Sequence, residues 1–436
     1  MKKTLLTICL TWMCFSLSAQ KIIDLSGKWS FSIDRQDNGE KEKWFSHTLN
    51  DCINLPGSMP EKLKGDEVTA KTQWTGSLYD SSYYYNPYME KYRKEGNIKF
   101  PFFLTPDKHY VGAAWYQKEV NIPADWKGER ILLFLERPHI ETTVWVNGQK
   151  TGMQNSLCVP HQYDITRYVR PGKCTITIRV DNRIKEINVG PDSHSITDQT
   201  QGNWNGIVGR ICLQTTPKTY FDDIQIYPEP EQKLARVKVV IKGAGITKIK
   251  LSAESFNTDK KHIVPAIQQE IKLNKGVTET EMVLPMGNDM LLWDEFHPAL
   301  YKLKAEVTNG KKTEIKEIQF GMCRFEIKGK WFYVNGRKTQ LRGTVENCDF
   351  PLTGYAPMDV ESWERVFRIC RSYGLNHMRF HSFCPPEAAF IAADRVGFYL
   401  QPEGPSWPNH GPKLGLGQPI DTYLMNETIA LTKEYG

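Results

Sequence analysis

From Ile22 to about Asp222, apolar and polar residues alternate in short runs, which is the period of a half-buried strand. Lys28–Ile33, Ala114–Val120, Arg130–Glu136, Thr142–Val146 and Thr175–Val180 are the clearest runs, and Pro, Gly and Asn punctuate them. Asn147-Gly148 is a tight-turn signal between two of these runs. Closely spaced strands with almost no helical periodicity predict a β-sandwich of jelly-roll type. The stretch Trp74–Tyr110 breaks the rhythm. It holds Tyr79, Tyr83, Tyr84, Tyr85, Tyr88 and Tyr92 with few aliphatics, and reads as a long excursion on one rim. Its rings are suited either to stacking on sugars or to packing the excursion onto the sandwich.

A second alternating region follows the break at Pro228-Glu-Pro230. Ala235–Ile241, Lys248–Ala253, Glu270–Leu273, Glu279–Leu284, Tyr301–Val307 and Thr313–Ile318 predict six strands, the size and rhythm of an immunoglobulin-like sandwich. The period then changes. After Phe320-Gly321 and a hairpin at Val334–Arg337, Lys338–Gly343 reads as a strand. Asp359–Tyr373 carries Val360, Trp363, Val366, Phe367 and Cys370 on one helical face. A strand at Asn376–Phe380, a helix from Pro385-Pro386 to Ala393, a strand at Phe398–Gln401 and a helix at Asp421–Tyr435 complete the series. Alternation of strand and helix predicts parallel βα units. Three fit here, whereas a closed (β/α)8 TIM barrel takes about 250 residues. The fold class expected is therefore multidomain, β then α/β: a jelly-roll domain over 21–222, an immunoglobulin-like sandwich over 223–320, and the first three βα units of an incomplete TIM barrel over 321–436.

Composition supports folded domains: of 436 residues, 40% are hydrophobic and 24% charged, proportions that bury cores and still dissolve. Residues 1–20 add a compartment. Lys2 and Lys3 precede an apolar run from Leu5 to Leu17, and Ser18-Ala19-Gln20 supplies small residues for cleavage, the pattern of a secretory signal peptide. The run is shorter than the ~20 residues of a spanning helix, so an exported protein without membrane insertion, periplasmic or extracellular, is expected. Cleavage would leave a net charge of about +4, too small and dispersed for nucleic-acid binding. The eight cysteines after the leader include no C-x-x-C and no His at ligand spacing, so no structural zinc site is expected. Their even number permits disulfides without specifying them, and Cys174, Cys212 and Cys370, within apolar stretches, read as small buried hydrophobes.

Parallel barrels carry their chemistry at the C-terminal ends of strands and on the following loops. Glu346, Asn347 and Asp349 follow the first predicted strand, Arg379 and His381 the second, and Glu403, Trp407 and His410 the third. An arginine, a histidine, carboxylates and a tryptophan converging on one mouth suit a polar, ring-shaped substrate. Arg379 is as well suited to a salt bridge inside the barrel, and a loop carboxylate such as Asp349 is most often simply solvated.

The motifs, taken in order, resemble glycoside hydrolase family 2, which includes β-galactosidases, β-glucuronidases and β-mannosidases. Gly112-Ala-Ala-Trp-Tyr116, Trp145-Val-Asn-Gly148, Tyr163-Asp-Ile-Thr166 and Trp204-Asn-Gly-Ile207 are similar to its sugar-binding domain. Leu292-Trp293, Pro298-Ala-Leu-Tyr301 and Phe320-Gly321 before Arg324 resemble its second domain. Asn335-Gly336, Leu341-Arg-Gly343, Gly374-Leu-Asn-His-Met-Arg379 and Ala393-Asp-Arg-Val-Gly397 resemble its first barrel segments. The resemblance implies a retaining exo-glycosidase, β-galactosidase-like, that needs no cofactor and takes a terminal sugar from an oligo- or polysaccharide using two Glu with carboxyls about 5 Å apart. In the family the acid/base sits in an Asn-Glu pair ending the fourth barrel strand and the nucleophile on the seventh, so both are expected beyond Gly436. Arg379 would then hold the nucleophile, His381 and Glu403 would support the site, and Asn203 and Trp204 would bound the sugar subsite from the sandwich. Two departures stand out: Asn347 occupies a position where the family often has His, and Arg379-Phe-His-Ser offsets His381 from the family's Arg-x-Ser-His. A carbohydrate-binding fragment or pseudoenzyme is the alternative reading.

Overall fold

A computed structural model describes residues 20–76, 81–100 and 103–436. The predicted leader, apart from Gln20, and Tyr79 lie outside the described residues. The first region is a sandwich of two antiparallel sheets. One runs in the order Ile22–Asp24, Gly206–Thr216, Arg130–His139, His161–Asp164, with Gly57–Ser58 paired to the second of these. The other runs Gln149–Asn155, Glu141–Val146, Gly172–Asp181, Ala113–Ile122, Gly27–Asp34, Asp51–Leu55. Because neighbours in space are not neighbours in sequence, the chain crosses between sheets, and the alternating apolar positions meet in the middle. Trp29, Phe31, Tyr116, Leu133, Val144, Ile178 and Leu213 form that core, each almost fully buried. The tyrosine-rich excursion folds on a small core of its own, Tyr83, Phe100 and Phe103 with Trp74 and Tyr92 against it, while Tyr85 and Tyr88 face solvent. Packing therefore uses part of the aromatic run and leaves part of it free.

The second region has five strands around one core: the six runs that the alternation predicts fall in four of them, and Tyr220–Glu229, which is not among those runs, is the fifth. Ala235–Ile241 and Lys248–Ala253 belong to one bent strand, Leu234–Phe256. Glu270–Leu273 and Glu279–Leu284 likewise fall in Ile263–Pro285, which pairs along it. At the bend Gly243 and Gly245 take φ of +155° and +88°, and a Cβ on Gly243 would lie 2.5 Å from Thr219 Oγ1. Glycine lets the ladder continue through a bend that would otherwise need a loop.

The third region opens with an antiparallel hairpin, Phe325–Lys328, Trp331–Val334 and Arg337–Thr339. The strand expected at Lys338–Gly343 is divided. Lys338 closes the hairpin opposite Tyr333, and the first parallel strand is Gly343–Glu346. It pairs with His377–Phe380, which pairs with Tyr399–Gln401, all parallel. Helix α1 (Val360–Ser372) and helix α2 (Glu387–Val396) make the crossovers, and α3 (Pro419–Tyr435) follows the third strand. The Asp359 side chain caps α1 by accepting from Ser362 N at 2.8 Å, and Gly397 ends α2 in the left-handed conformation. Met378 and Phe380 turn toward the helices and join Trp363, Phe367, Ala389 and Ala393 in the core. His377 and Arg379, alternate positions on the same strand, take the opposite face. Among the described residues these three strands form the one parallel sheet of the third region.

Candidate active site

The ends of the second and third parallel strands bring Arg379 and Glu403 together. Arg379 Nε donates to Glu403 Oε1 at 2.5 Å, and Ser382 N donates to Glu403 Oε2 at 2.7 Å. His381 lies beside them, its Nδ1 3.7 Å from Glu403 Oε2 and without a hydrogen-bond partner among the described residues. Trp407 closes the group, with its ring centroid 4.9 Å from that of His381. Four of the predicted residues, Arg379, His381, Glu403 and Trp407, therefore form one cluster, and two of them satisfy each other.

The cluster is completed from the sandwich. The segment between Gly172–Asp181 and Gly206–Thr216 leaves the sheets and lies over the strand ends. Ser195 Oγ donates to Ser382 O at 2.7 Å and Ser193 Oγ to Pro405 O at 2.8 Å. His194 N donates to Ser382 Oγ at 2.9 Å, and Nδ1 of His194 is bonded to the same oxygen at 2.9 Å. Its ring stacks on Trp407 (5.4 Å, 7°) and lies 4.5 Å from His381. Gly190 makes the approach possible, since a Cβ there would come within 2.0 Å of Trp407 O. Ser382 sits at φ +45°, a conformation that costs a β-carbon residue on the order of 1 kcal/mol and here is held by four of these contacts. Strand-end reasoning missed His194 and Ser382. The signal for the former was the length of a polar segment, Asn182–Asn205, between two strong strands.

Electrostatics keep both histidines neutral near pH 7. Burial, the neighbouring His381 and the Arg379 guanidinium push His194 down to about 4, against the opposing pull of Glu403 and Asp192. Burial and Arg379 also lower His381, again opposed by Glu403. One ion pair between two neutral rings and an indole can bind polar, ring-shaped ligands through hydrogen bonds and stacking.

The other predicted residues lie on a neighbouring loop and cleft. Glu346 ends the first parallel strand opposite Phe380, and its Oε1 accepts from Asp349 N at 3.1 Å. Burial raises both carboxyls above their ordinary range. Asn347 is half-buried and Asp349 exposed. Cys348 between them donates from Sγ to Gln201 Oε1 at 3.1 Å, tying this loop to the sandwich segment. Asn203 is buried and fully engaged: its Oδ1 meets His139 Nε2 at 3.0 Å, and its Nδ2 donates to Asn182 O at 2.8 Å and Thr75 Oγ1 at 3.2 Å. Trp204 stacks on His139 (4.5 Å, 23°) and packs near Tyr355, while its indole N–H has no partner among the described residues. Both residues line a cleft of about 1530 Å³ between the tyrosine-rich excursion and Phe350–Gly354.

Known proteins share this architecture. The chain is similar to the beta-galactosidase of Thermoanaerobacter pseudethanolicus (24% identical, 72% of this chain and 42% of the relative). It is also similar to human beta-glucuronidase (23%, 88% and 57%). The chain spans about half the length of these curated relatives. Among solved structures, a β-glucuronidase from Ruminococcus gnavus superposes with a TM-score of 0.67 at 19% identity, covering 95% of this chain and 63% of that one. A glycosyl hydrolase family 2 member from Bacteroides cellulosilyticus gives 0.66 at 18%, covering 95% and 51%. At such identity the superpositions speak for the fold alone. Residues 22–217 match the model of the glycosyl hydrolases family 2 sugar binding domain and residues 219–322 match a second glycosyl hydrolases family 2 model, so the chain belongs to glycosyl hydrolases family 2.

Proposed function

We propose that this chain supplies the sugar-binding sandwich and the first three βα units of the TIM barrel of an exported, retaining exo-β-glycosidase. Its substrates are terminal β-linked sugars of oligo- or polysaccharides, with β-galactosides the first to assay. The observation that carries the reading is the seating of Ser193, His194 and Ser195 on Ser382 and Pro405, which places a sandwich loop at the ends of parallel strands beside Arg379, Glu403 and Trp407. Burial of a polar loop against strand ends needs many satisfied hydrogen bonds, and among the described residues His381 Nδ1 and the Trp407 ring remain for a sugar to meet.

In this reading Trp407 and His194 offer stacking faces, and the Arg379–Glu403 pair fixes the strand ends. Trp204 bounds the subsite, and Asn203 holds its loop in place. Neither Glu346 nor Glu403 serves as acid/base or nucleophile. Glu403 is held by Arg379 and Ser382, and Glu346 is turned onto its own loop. The reacting pair is assigned to strands after Gly436. The test is an aryl β-glycoside panel, galactoside and glucuronide first, with protein made from its native gene and with residues 21–436 alone. Turnover by the former and none by the latter supports the reading. Turnover by residues 21–436 would overturn the placement of the pair, and sugar binding without turnover by either would favour a carbohydrate-binding protein.

A further inference from the structure

His194 reaches the strand-end cluster from the segment between Gly172–Asp181 and Gly206–Thr216, and its hydrogen bonds decide which ring nitrogen carries the proton. Its backbone N–H donates to Ser382 Oγ at 2.9 Å, and its Nδ1 lies 2.9 Å from the same oxygen. Ser382 is 1% exposed, and its hydroxyl makes no further hydrogen bond to a described residue. A hydroxyl has one proton to donate and two lone pairs that accept. With the ring proton on Nδ1, Ser382 Oγ would accept twice and its own O–H would be buried with no acceptor, which disfavours that form by roughly 5- to 150-fold. With Nδ1 bare, the Ser382 hydroxyl donates to it and both groups are satisfied. The neutral ring therefore carries its proton on Nε2. Burial, His381 and Arg379 keep the ring neutral near pH 7 against the pull of Glu403 and Asp192.

Nε2 makes no hydrogen bond to a described residue, yet the ring that carries it is held firmly. It stacks on Trp407, whose backbone N–H donates to Val189 O at 3.0 Å. The ring centroids of His194, His381 and Trp407 form a triangle with sides of 4.5, 4.9 and 5.4 Å. The charges beside it balance, with Arg379 Nε on Glu403 Oε1 at 2.5 Å, so a neutral oxygen entering the cluster meets a donor and no unpaired charge. We propose that His194 is a sugar-binding residue supplied by the sandwich, its Nε2–H donating to a hydroxyl oxygen of the terminal sugar and its tautomer set by Ser382. This rests on the glycosidase reading of the cluster and adds a directional hydrogen bond to the stacking face of the ring. The opposite tautomer would present a lone pair to the sugar instead, so Ser382 is a positioning residue that acts through His194.

The test has two readouts. In the full chain labelled with 15N-histidine, long-range 1H–15N correlation at pH 7 should show His194 with Nε2 protonated and Nδ1 bare, and S382A should move the ring toward a mixture of tautomers. A proton on Nδ1 in the unmodified chain, or a tautomer that S382A leaves unmoved, would overturn the lock. The sugar contact is read with protein expressed from its native gene, on whichever of the aryl β-galactoside and β-glucuronide is turned over and on its monodeoxy analogues. H194F keeps a stacking ring without the donor and should lower kcat/KM by roughly 2- to 13-fold. For one deoxy sugar, the one lacking the hydroxyl that meets Nε2, that loss should vanish. An H194F enzyme with unchanged kcat/KM, or the same loss on every deoxy sugar, would overturn this proposal and leave the glycosidase reading standing. Turnover of neither glycoside would overturn that reading and the sugar contact with it, while the nitrogen shifts still report the lock. Should H194F not fold, the corresponding methyl β-thioglycoside added to the unmodified protein should shift Nε2 of His194, and an unmoved Nε2 at saturation would overturn the contact.

Discussion

Asp394 gives a stability prediction with a definite sign. It sits in the last turn of α2, where the helix dipole disfavours negative charge. Its carbonyl accepts from Trp293 Nε1 at 2.7 Å, and its Oδ2 accepts from Gln319 Nε2 at 2.9 Å, so it joins the second region to the third. Burial raises its carboxyl from 3.8 to about 6, with the Gln319 bond pulling the other way. Between these values the folded state binds the proton and the unfolded state does not, so stability falls as pH rises through this window and levels off above it. At 1.36 kcal/mol per unit the cost at neutral pH is at most about 3 kcal/mol, less to the extent that the residue's partly exposed edge lets water share the charge. Asp394→Asn keeps an acceptor for Gln319 and removes the titration. In urea unfolding followed by tryptophan fluorescence from pH 4 to 8, the variant's advantage over the parent should be smallest at pH 4 and grow by on the order of 1–3 kcal/mol by pH 7. A difference that stays flat with pH, or grows toward acid, would refute the reasoning.

Further outcomes follow from single contacts. Glu403→Gln removes the charge that raises both His194 and His381, so their NMR titration midpoints should move further down; unchanged midpoints would mean the carboxylate does not act on them. Glu427→Ala leaves the buried N–H of Leu157 without its acceptor, at about 1–3 kcal/mol, while Cys158 N keeps Ser156 Oγ; Glu427→Gln keeps an acceptor for both and should lose less in the same unfolding assay. Gly190→Ala places a Cβ against Trp407 O at a φ of +96°. It should lower the melting temperature and shift the Trp407 emission, while Gly128→Ala, at φ +84° with open space around its Cβ, should show the backbone cost alone.

Much of the fold was legible because two periods dominate the chain. Alternation placed the strands Gly27–Asp34, Ala113–Ile122 and Gly172–Asp181 with ends up to three residues short, and the stripe from Val360 to Cys370 placed α1. Alternation alone does not say where a strand ends if glycine lets it bend, and so two strands of the second region were each read as two. It also does not choose between partners: Lys338 went to the hairpin because Tyr333 was already opposite it. At the candidate site, strand-end placement found Arg379, His381, Glu403 and Trp407. It could not find His194, which reaches the cluster from a loop nearly two hundred residues earlier. Local pattern does not reveal that Asn203 spends its amide on Asn182, Thr75 and His139, because those bonds exist only once three distant segments meet.

The most direct test of the central claim is a proton NMR time course of an aryl β-galactoside and an aryl β-glucuronide with protein expressed from its native gene. The account predicts release of the terminal sugar from at least one of them with the β-anomer appearing first and the α-anomer only by later mutarotation, and a large loss of rate in Arg379→Ala. Release of the α-anomer first, or a native protein that cleaves no β-glycoside, would contradict it.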